Sequence, residues 1–182
     1  MNKKQKLEGL RKEIEKCKEC KRFKKGKLVF GEGNVNSKIM FLGEAPGKEE
    51  AKTGRPFVGR SGKFLTKMLK SIGIDRKNVY ITSPVKYYPG KRAPNKKEIQ
   101  AGLKHTLKQI EIIKPKIIVL LGNVALKFIL DKNLTISKVH GKIIKRKGIT
   151  YIPTFHPSAA MRFPKIKIKM IKDFKKLKRL KV

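Results

Sequence analysis

Lys38-Ile39-Met40-Phe41-Leu42-Gly43-Glu44-Ala45-Pro46-Gly47 carries an apolar run straight into a rigid turn that presents one carboxylate. A short apolar run stopped by glycine and proline predicts a buried strand that ends in a loop. The loop continues to Gly54-Arg55-Pro56-Phe57-Val58-Gly59, which presents an aromatic ring. Far along the chain the pattern recurs. Ile149 to Ile152 predicts a strand, and Phe155-His156-Pro157-Ser158-Ala159-Ala160 follows with an imidazole. In open parallel sheets, ligand sites gather outside the C-terminal strand ends. The two loops therefore predict one crevice holding Glu44, Phe57 and His156.

The segments between them fit that sheet. Leu7, Leu10, Ile14 and Cys17 recur at helical spacing, so residues 2–19 predict an amphipathic helix. Helices are expected over Ser61–Ile72, Asn95–Ile113 and Val124–Leu130, the last capped by Gly122-Asn123, and from Ile166 to the end of the chain. Asn78–Thr82 and the β-branched Lys116–Leu121 predict further strands, and Lys142–Lys145 a short one before Gly148. Strands alternating with long helices imply βαβ units and a mostly parallel sheet covered on both faces. At 182 residues, the expectation is a single domain over 1–182, large enough for one core.

Lys and Arg total 48 against 13 Asp and Glu, a formal charge of +35. Lys-rich proteomes usually enrich Glu as well, and here Glu is scarce. The balance points to a polyanionic partner, nucleic acid before anionic lipid. No segment reaches the roughly 20 apolar residues of a membrane-spanning helix. The N-terminus carries no signal-peptide apolar core, and the two cysteines make no secreted disulfide framework. A cytosolic protein, monomeric and not membrane-bound, is expected.

Gly43-Glu44-Ala45-Pro46-Gly47, the stretch from Gly54 to Gly62 and His156-Pro157-Ser158 resemble the type 4 uracil-DNA glycosylases of bacteria and archaea. The resemblance runs from about Leu7 to the C-terminus and includes Val79-Tyr80-Ile81-Thr82, Lys116 to Gly122 and Val139-His140-Gly141-Lys142. It implies a three-layer α/β/α fold with a four-stranded, mostly parallel central sheet. It also implies a monofunctional DNA glycosylase that hydrolyses the N-glycosidic bond of uracil or a related deaminated base, initiating base-excision repair. The alternative is a nucleic-acid-binding member of the superfamily without activity.

The residues support such a role independently. A glycosylase must extrude its base at a cost of a few kcal/mol. Stacking a base on an aromatic such as Phe57 is worth roughly 1–3 kcal/mol. Cleavage passes through an oxocarbenium-like sugar, which a carboxylate stabilises while it orients water. Glu44 is the first candidate and Glu50, where the family carries an acid, the second. His156 matches the family histidine that donates to the base O2 as negative charge develops there, as in an oxyanion hole. Gly43 and Ser83 join Phe57 in the base-binding set. Ser158, with the amides after His156, is a candidate for phosphate. Met161 and Arg162 follow at once, and Met161 is an adaptable wedge for the gap left by the base. Arg60, Lys63 and Arg92 are candidates for flanking phosphates.

Two departures from the family pattern stand out. Type 4 enzymes usually hold a 4Fe–4S cluster on four cysteines. Cys17 and Cys20 match the first pair, but Tyr87 and Gly102 stand where the others are expected. Two thiolates cannot hold a cubane that needs four ligands, so no cofactor and no metal are expected, although His105, one turn past Gly102, could complete a three-ligand metal site. Ser83 stands where the family commonly has an asparagine that reads uracil. Its hydroxyl can donate or accept, which predicts relaxed choice among deaminated bases. Lys91 also replaces a common asparagine.

Overall fold

The computed structural model describes residues 1–180. Asn2 caps α1 (Lys3–Lys16), its side chain accepting from the Gln5 amide while Gln5 accepts from the Asn2 amide. The reciprocal cap satisfies two donors that a helix start leaves open. The helix expected over residues 2–19 breaks at Cys17, whose ψ of 111° is extended, and resumes as α2 (Lys18–Lys21). The chain continues through β1 (Glu32–Gly33), β2 (Ile39–Leu42), α3 (Lys48–Thr53), α4 (Arg60–Ser71), a short 3-10 turn at Arg76–Asn78 and β3 (Tyr80–Thr82). There follow α5 (Lys96–Ile113), β4 (Ile117–Leu121), α6 (Asn123–Ala125), which widens into a π-type turn at Leu126–Leu130, and α7 (Ile136–Val139). The last elements are β5 (Ile144–Arg146), β6 (Ile149–Thr154), α8 (Pro157–Arg162) and α9 (Pro164–Arg179). Pro164 at the first position of α9 separates it from α8. The final helix was expected to reach the C-terminus, and its last two residues lie outside the described ones.

The sheet has the order β1-β3-β2-β4-β6-β5. Its centre, β3-β2-β4-β6, is the expected four-stranded parallel core. Two short antiparallel strands, β1 on β3 and β5 on β6, extend it to six. Side chains alternate between two apolar layers, as the twofold period of a strand requires. Met40, Leu42, Ile118 and Leu120 pack with Leu7, Ile14 and Ile113 from α1 and α5. Phe41, Ile81, Val119 and Leu121 pack with Leu65, Leu69, Phe174 and Leu177 from α4 and α9. This is an α/β/α sandwich whose four parallel strands all end at the same edge. Gly43-Glu44 follows β2, Ser83 follows β3, Gly122 follows β4 and Phe155-His156 follows β6. Among the described residues no helix is long and apolar enough to cross a membrane.

Candidate active site

Beyond those strand ends lies a cavity of about 430 Å³. The β2 loop contributes Ala45, Pro46, Gly47 and Glu50 to its walls. The next loop contributes Pro56, Phe57 and the start of α4, with Arg60. Ser83 enters from β3 and His156 from β6. Its volume falls in the range of small-ligand sites, roughly 300–1,000 Å³.

Phe57 is held in an unusual backbone conformation. Its φ of 50° is left-handed, which a bulky residue adopts only when its surroundings impose it. The surroundings are identifiable. Arg76 donates Nη1 to the Phe57 carbonyl at 3.0 Å and Nη2 to the Pro56 carbonyl at 2.6 Å. On the other side, one Glu50 carboxylate oxygen accepts the amides of Val58 and Gly59, both at 2.8 Å. Its second oxygen accepts the Gly47 amide at 3.1 Å. Glu50 thus ties the two loops together, with both oxygens engaged by backbone. The Phe57 ring lies against Gly43, where a Cβ would stand 2.6 Å from the ring carbons. Only glycine lets the ring lie this close to β2. The Gly43 amide itself donates to Thr82 at 2.9 Å, within the strand pairing.

His156 caps α8 with its own ring. Nδ1 accepts the Ser158 amide at 3.2 Å and lies 2.7 Å from the Ser158 hydroxyl. An acceptor Nδ1 places the proton of the neutral ring on Nε2. Burial pushes the imidazole pKa down to about 4, so the neutral tautomer holds at ordinary pH. The ring stands 5.9 Å from that of Phe57, tilted by 36°.

Ser83 is buried, and its hydroxyl donates to the Val85 carbonyl at 2.8 Å. Its single hydrogen is therefore committed, which leaves lone pairs for a ligand. The segment is anchored by Lys86, whose fully buried ammonium donates to the Ser83 carbonyl and to Gln109 Oε1, both at 2.8 Å. Burial lowers the Lys86 pKa to about 7.

Of the three residues expected in one crevice, Phe57 and His156 line the cavity, whereas Glu44 lies just before the lining Ala45 and is not itself in the wall. It is half-buried, and among the described residues its carboxylate has no hydrogen-bond partner. Burial holds its pKa above the ordinary carboxylate value. Arg60, in the cavity wall, is exposed, and so are Lys63, Ser158, Met161 and Arg162. Arg92 is committed elsewhere, its guanidinium paired with both oxygens of the buried Glu98 at 2.7 and 2.9 Å. The sequence reading missed Arg76 and Lys86. Nothing local marks Arg76, because its partners, the Pro56 and Phe57 carbonyls, the Thr66 hydroxyl and Glu32, all lie 10 or more positions away. It also missed Phe163, an exposed aromatic beside Met161.

The residues present do not fit a four-cysteine cluster. A Cβ at Gly102 would overlap the Pro84 carbonyl oxygen, so a cysteine has no room there. Tyr87 is buried, and the gap between Cys20, Tyr87 and Gly102 is about 10 Å³, the size of one water. Cys17, Cys20 and His105 do come together, with one potential ligand atom of each within 4.8 Å of the others.

The description "Uracil DNA glycosylase superfamily" belongs to a family model that matches residues 30–178. A type-4 uracil-DNA glycosylase of Sulfurisphaera tokodaii is 43% identical, over 97% of this chain and 85% of the relative. Those of Thermotoga maritima and Archaeoglobus fulgidus are 46% and 39% identical, covering 86% and 94% of this chain and 83% and 91% of theirs. With its parallel core, its strand-end cavity and this similarity along nearly the whole length, the chain belongs to the type-4 branch of the uracil-DNA glycosylase superfamily.

Proposed function

We propose that this chain is a monofunctional glycosylase that hydrolyses the bond between the sugar and an extruded uracil, or a related deaminated base, in DNA. The observation that carries the reading is the meeting of Phe57, Ser83 and His156 on one cavity. The base slides onto the Phe57 ring. The Ser83 oxygen, its hydrogen already given to Val85, accepts the ring N–H that deaminated bases present. Cytosine offers a lone pair at that position and meets a second lone pair, which leaves both unpaired at about 1–3 kcal/mol.

As the C1′–N1 bond breaks, its electron pair leaves with the base and charge builds on O2. The His156 Nε2–H donates there. A neutral donor fixed by its own helix needs no reorganisation when the charge appears. The sugar becomes oxocarbenium-like. Glu44, outside the base cavity, stabilises it as the charged carboxylate and orients the water whose oxygen bonds C1′ and whose proton passes to solvent. Glu50 is a positioning residue that aligns the two loops. Phosphates flanking the lesion meet Arg60, Lys63 and Arg162, while the Ser158 amide and hydroxyl and the next two amides are taken up by His156 and leave no free donor for the phosphate expected there, and Met161 fills the vacated stack. The reading takes one domain over 1–182 acting as a monomer. No step requires a cluster.

The test uses oligonucleotides bearing uracil, hypoxanthine, xanthine or cytosine at one position, incubated with the purified protein and then cleaved with alkali. Strand scission is expected at uracil, and more weakly at hypoxanthine and xanthine, and none at cytosine. Binding without scission at any base would favour the inactive alternative.

A further inference from the structure

His105 sits on α5 with 1% of its surface exposed, and neither ring nitrogen has a hydrogen-bond partner. A buried polar group without a partner is costly and uncommon in folded proteins. The nearest acid, Glu13, lies 3.5 Å from Nδ1 but is already bonded to Lys108 at 2.7 Å. Two sulfurs approach from the opposite element. The extended Cys17 breaks α1 from α2, and that break brings Cys17 and Cys20 together beside α5. The two Sγ atoms and one His105 nitrogen lie within 4.8 Å of one another.

We propose that Cys17, Cys20 and His105 form a mononuclear zinc site that ties the N-terminal helices to α5. Two thiolates and an imidazole suit zinc, which takes sulfur at about 2.3 Å and nitrogen at about 2.0 Å in a tetrahedron. Those bond lengths bring ligand atoms to about 3.5–4 Å of one another. Small rotations of three side chains close the present spacing to that value. The set is too soft for magnesium or calcium, which prefer oxygen. Binding releases the Cys17 and Cys20 thiol protons to solvent and draws on a neutral His105. The Cys20 thiol gives up its contact with the Ala101 carbonyl at 3.2 Å. Cys17 is half-exposed, which leaves a path for the ion and for a water, or the Glu13 carboxylate, in the fourth position. The role is structural. The site bridges elements that contact each other across the layer, and it lies apart from the cavity of Phe57 and His156.

The experiment measures metal content of the full chain, purified from cells supplied with both zinc and iron. The chelator-treated protein is then titrated with Co²⁺ alone. About one zinc per chain is expected, with sulfur-to-cobalt charge-transfer absorption and the visible bands of tetrahedral cobalt. Cys17→Ser should weaken cobalt binding at least about 10-fold, since even outer-shell changes cost that much. It should also diminish the charge-transfer band and remove the rise in Tm that zinc gives the wild-type chain. His105→Gln should abolish the tetrahedral spectrum. If that variant fails to fold, Cys17→Ser carries the test, because its position is half-exposed and circular dichroism confirms its fold. Iron with sulfide, no uptake of either metal, or a cobalt spectrum unchanged in Cys17→Ser would overturn the site.

Discussion

Two donors from Ser158, its amide and its hydroxyl, converge on Nδ1 of His156. Burial keeps the ring neutral down to about pH 4. Glu44 is shifted the other way, its carboxyl held above the ordinary value by burial. The two groups therefore make different demands on pH. In the proposed mechanism Glu44 acts as the anion, so the single-turnover rate should rise with pH through an apparent pKa above 4.5 and then level. His156 is proposed to act as a neutral donor, so no second limb should appear between about pH 6 and pH 8. A rate that falls through that interval would mean that an imidazolium is required. Stability carries its own sign. An unfolded histidine takes its proton near pH 6.5 and the folded His156 only near 4, so between those values the unfolded chain binds more protons. His156 should therefore make the fold less stable as pH drops through that window.

The loop from Pro56 to Gly59 depends on partners from two other elements. Glu50 on α3 takes its amides, and Arg76, in the 3-10 turn before β3, takes its carbonyls. Arg76→Met should release the Phe57 turn. A loss of about 1–3 kcal/mol of stability is expected from denaturant unfolding, the cost of leaving such groups unpaired, with a slower rate on uracil DNA and little change in DNA affinity. Unchanged stability and rate would mean that Phe57 is held by other contacts. This element also shows where the sequence could be read. β2 and β4 were legible because unbroken apolar runs end in Gly, and β6 was legible over Ile149–Ile152, although it runs on through Pro153 to Thr154. Arg76 was not legible, because its closest partners are carbonyl oxygens that carry no residue identity. Glu50 read as a second acid, since a carboxylate bound to backbone amides is written no differently from a free one. β1 is two residues with Gly33 in a positive-φ conformation, too short to leave a period. The break at Cys17 left the helical spacing of Leu7, Leu10 and Ile14 intact, so the pattern ran on through it. The hydroxyl of Ser83 can donate or accept as written, and only its bond to Val85 commits it.

Charge belongs to the molecule as a whole. At +35, its affinity for duplex DNA should be governed by counterion release. Contact with about 5 phosphates gives a log–log salt slope of about −4.5. Binding that stays flat between low and moderate salt would remove DNA as the partner. The α/β/α sandwich then supplies a fixed frame, in which strand ends from β2, β3 and β6 meet under one cavity, and the proposed chemistry is divided between Glu44 and His156. The most direct test is single-turnover cleavage of a uracil-containing oligonucleotide by the wild-type chain, Glu44→Gln and His156→Ala, with DNA affinity measured alongside. Each substitution is expected to slow cleavage by at least about 100-fold, the scale of a positioned acid–base or oxyanion group, while affinity changes little. Near-normal rates in both variants would contradict the assignment of Glu44 and His156 as the catalytic pair.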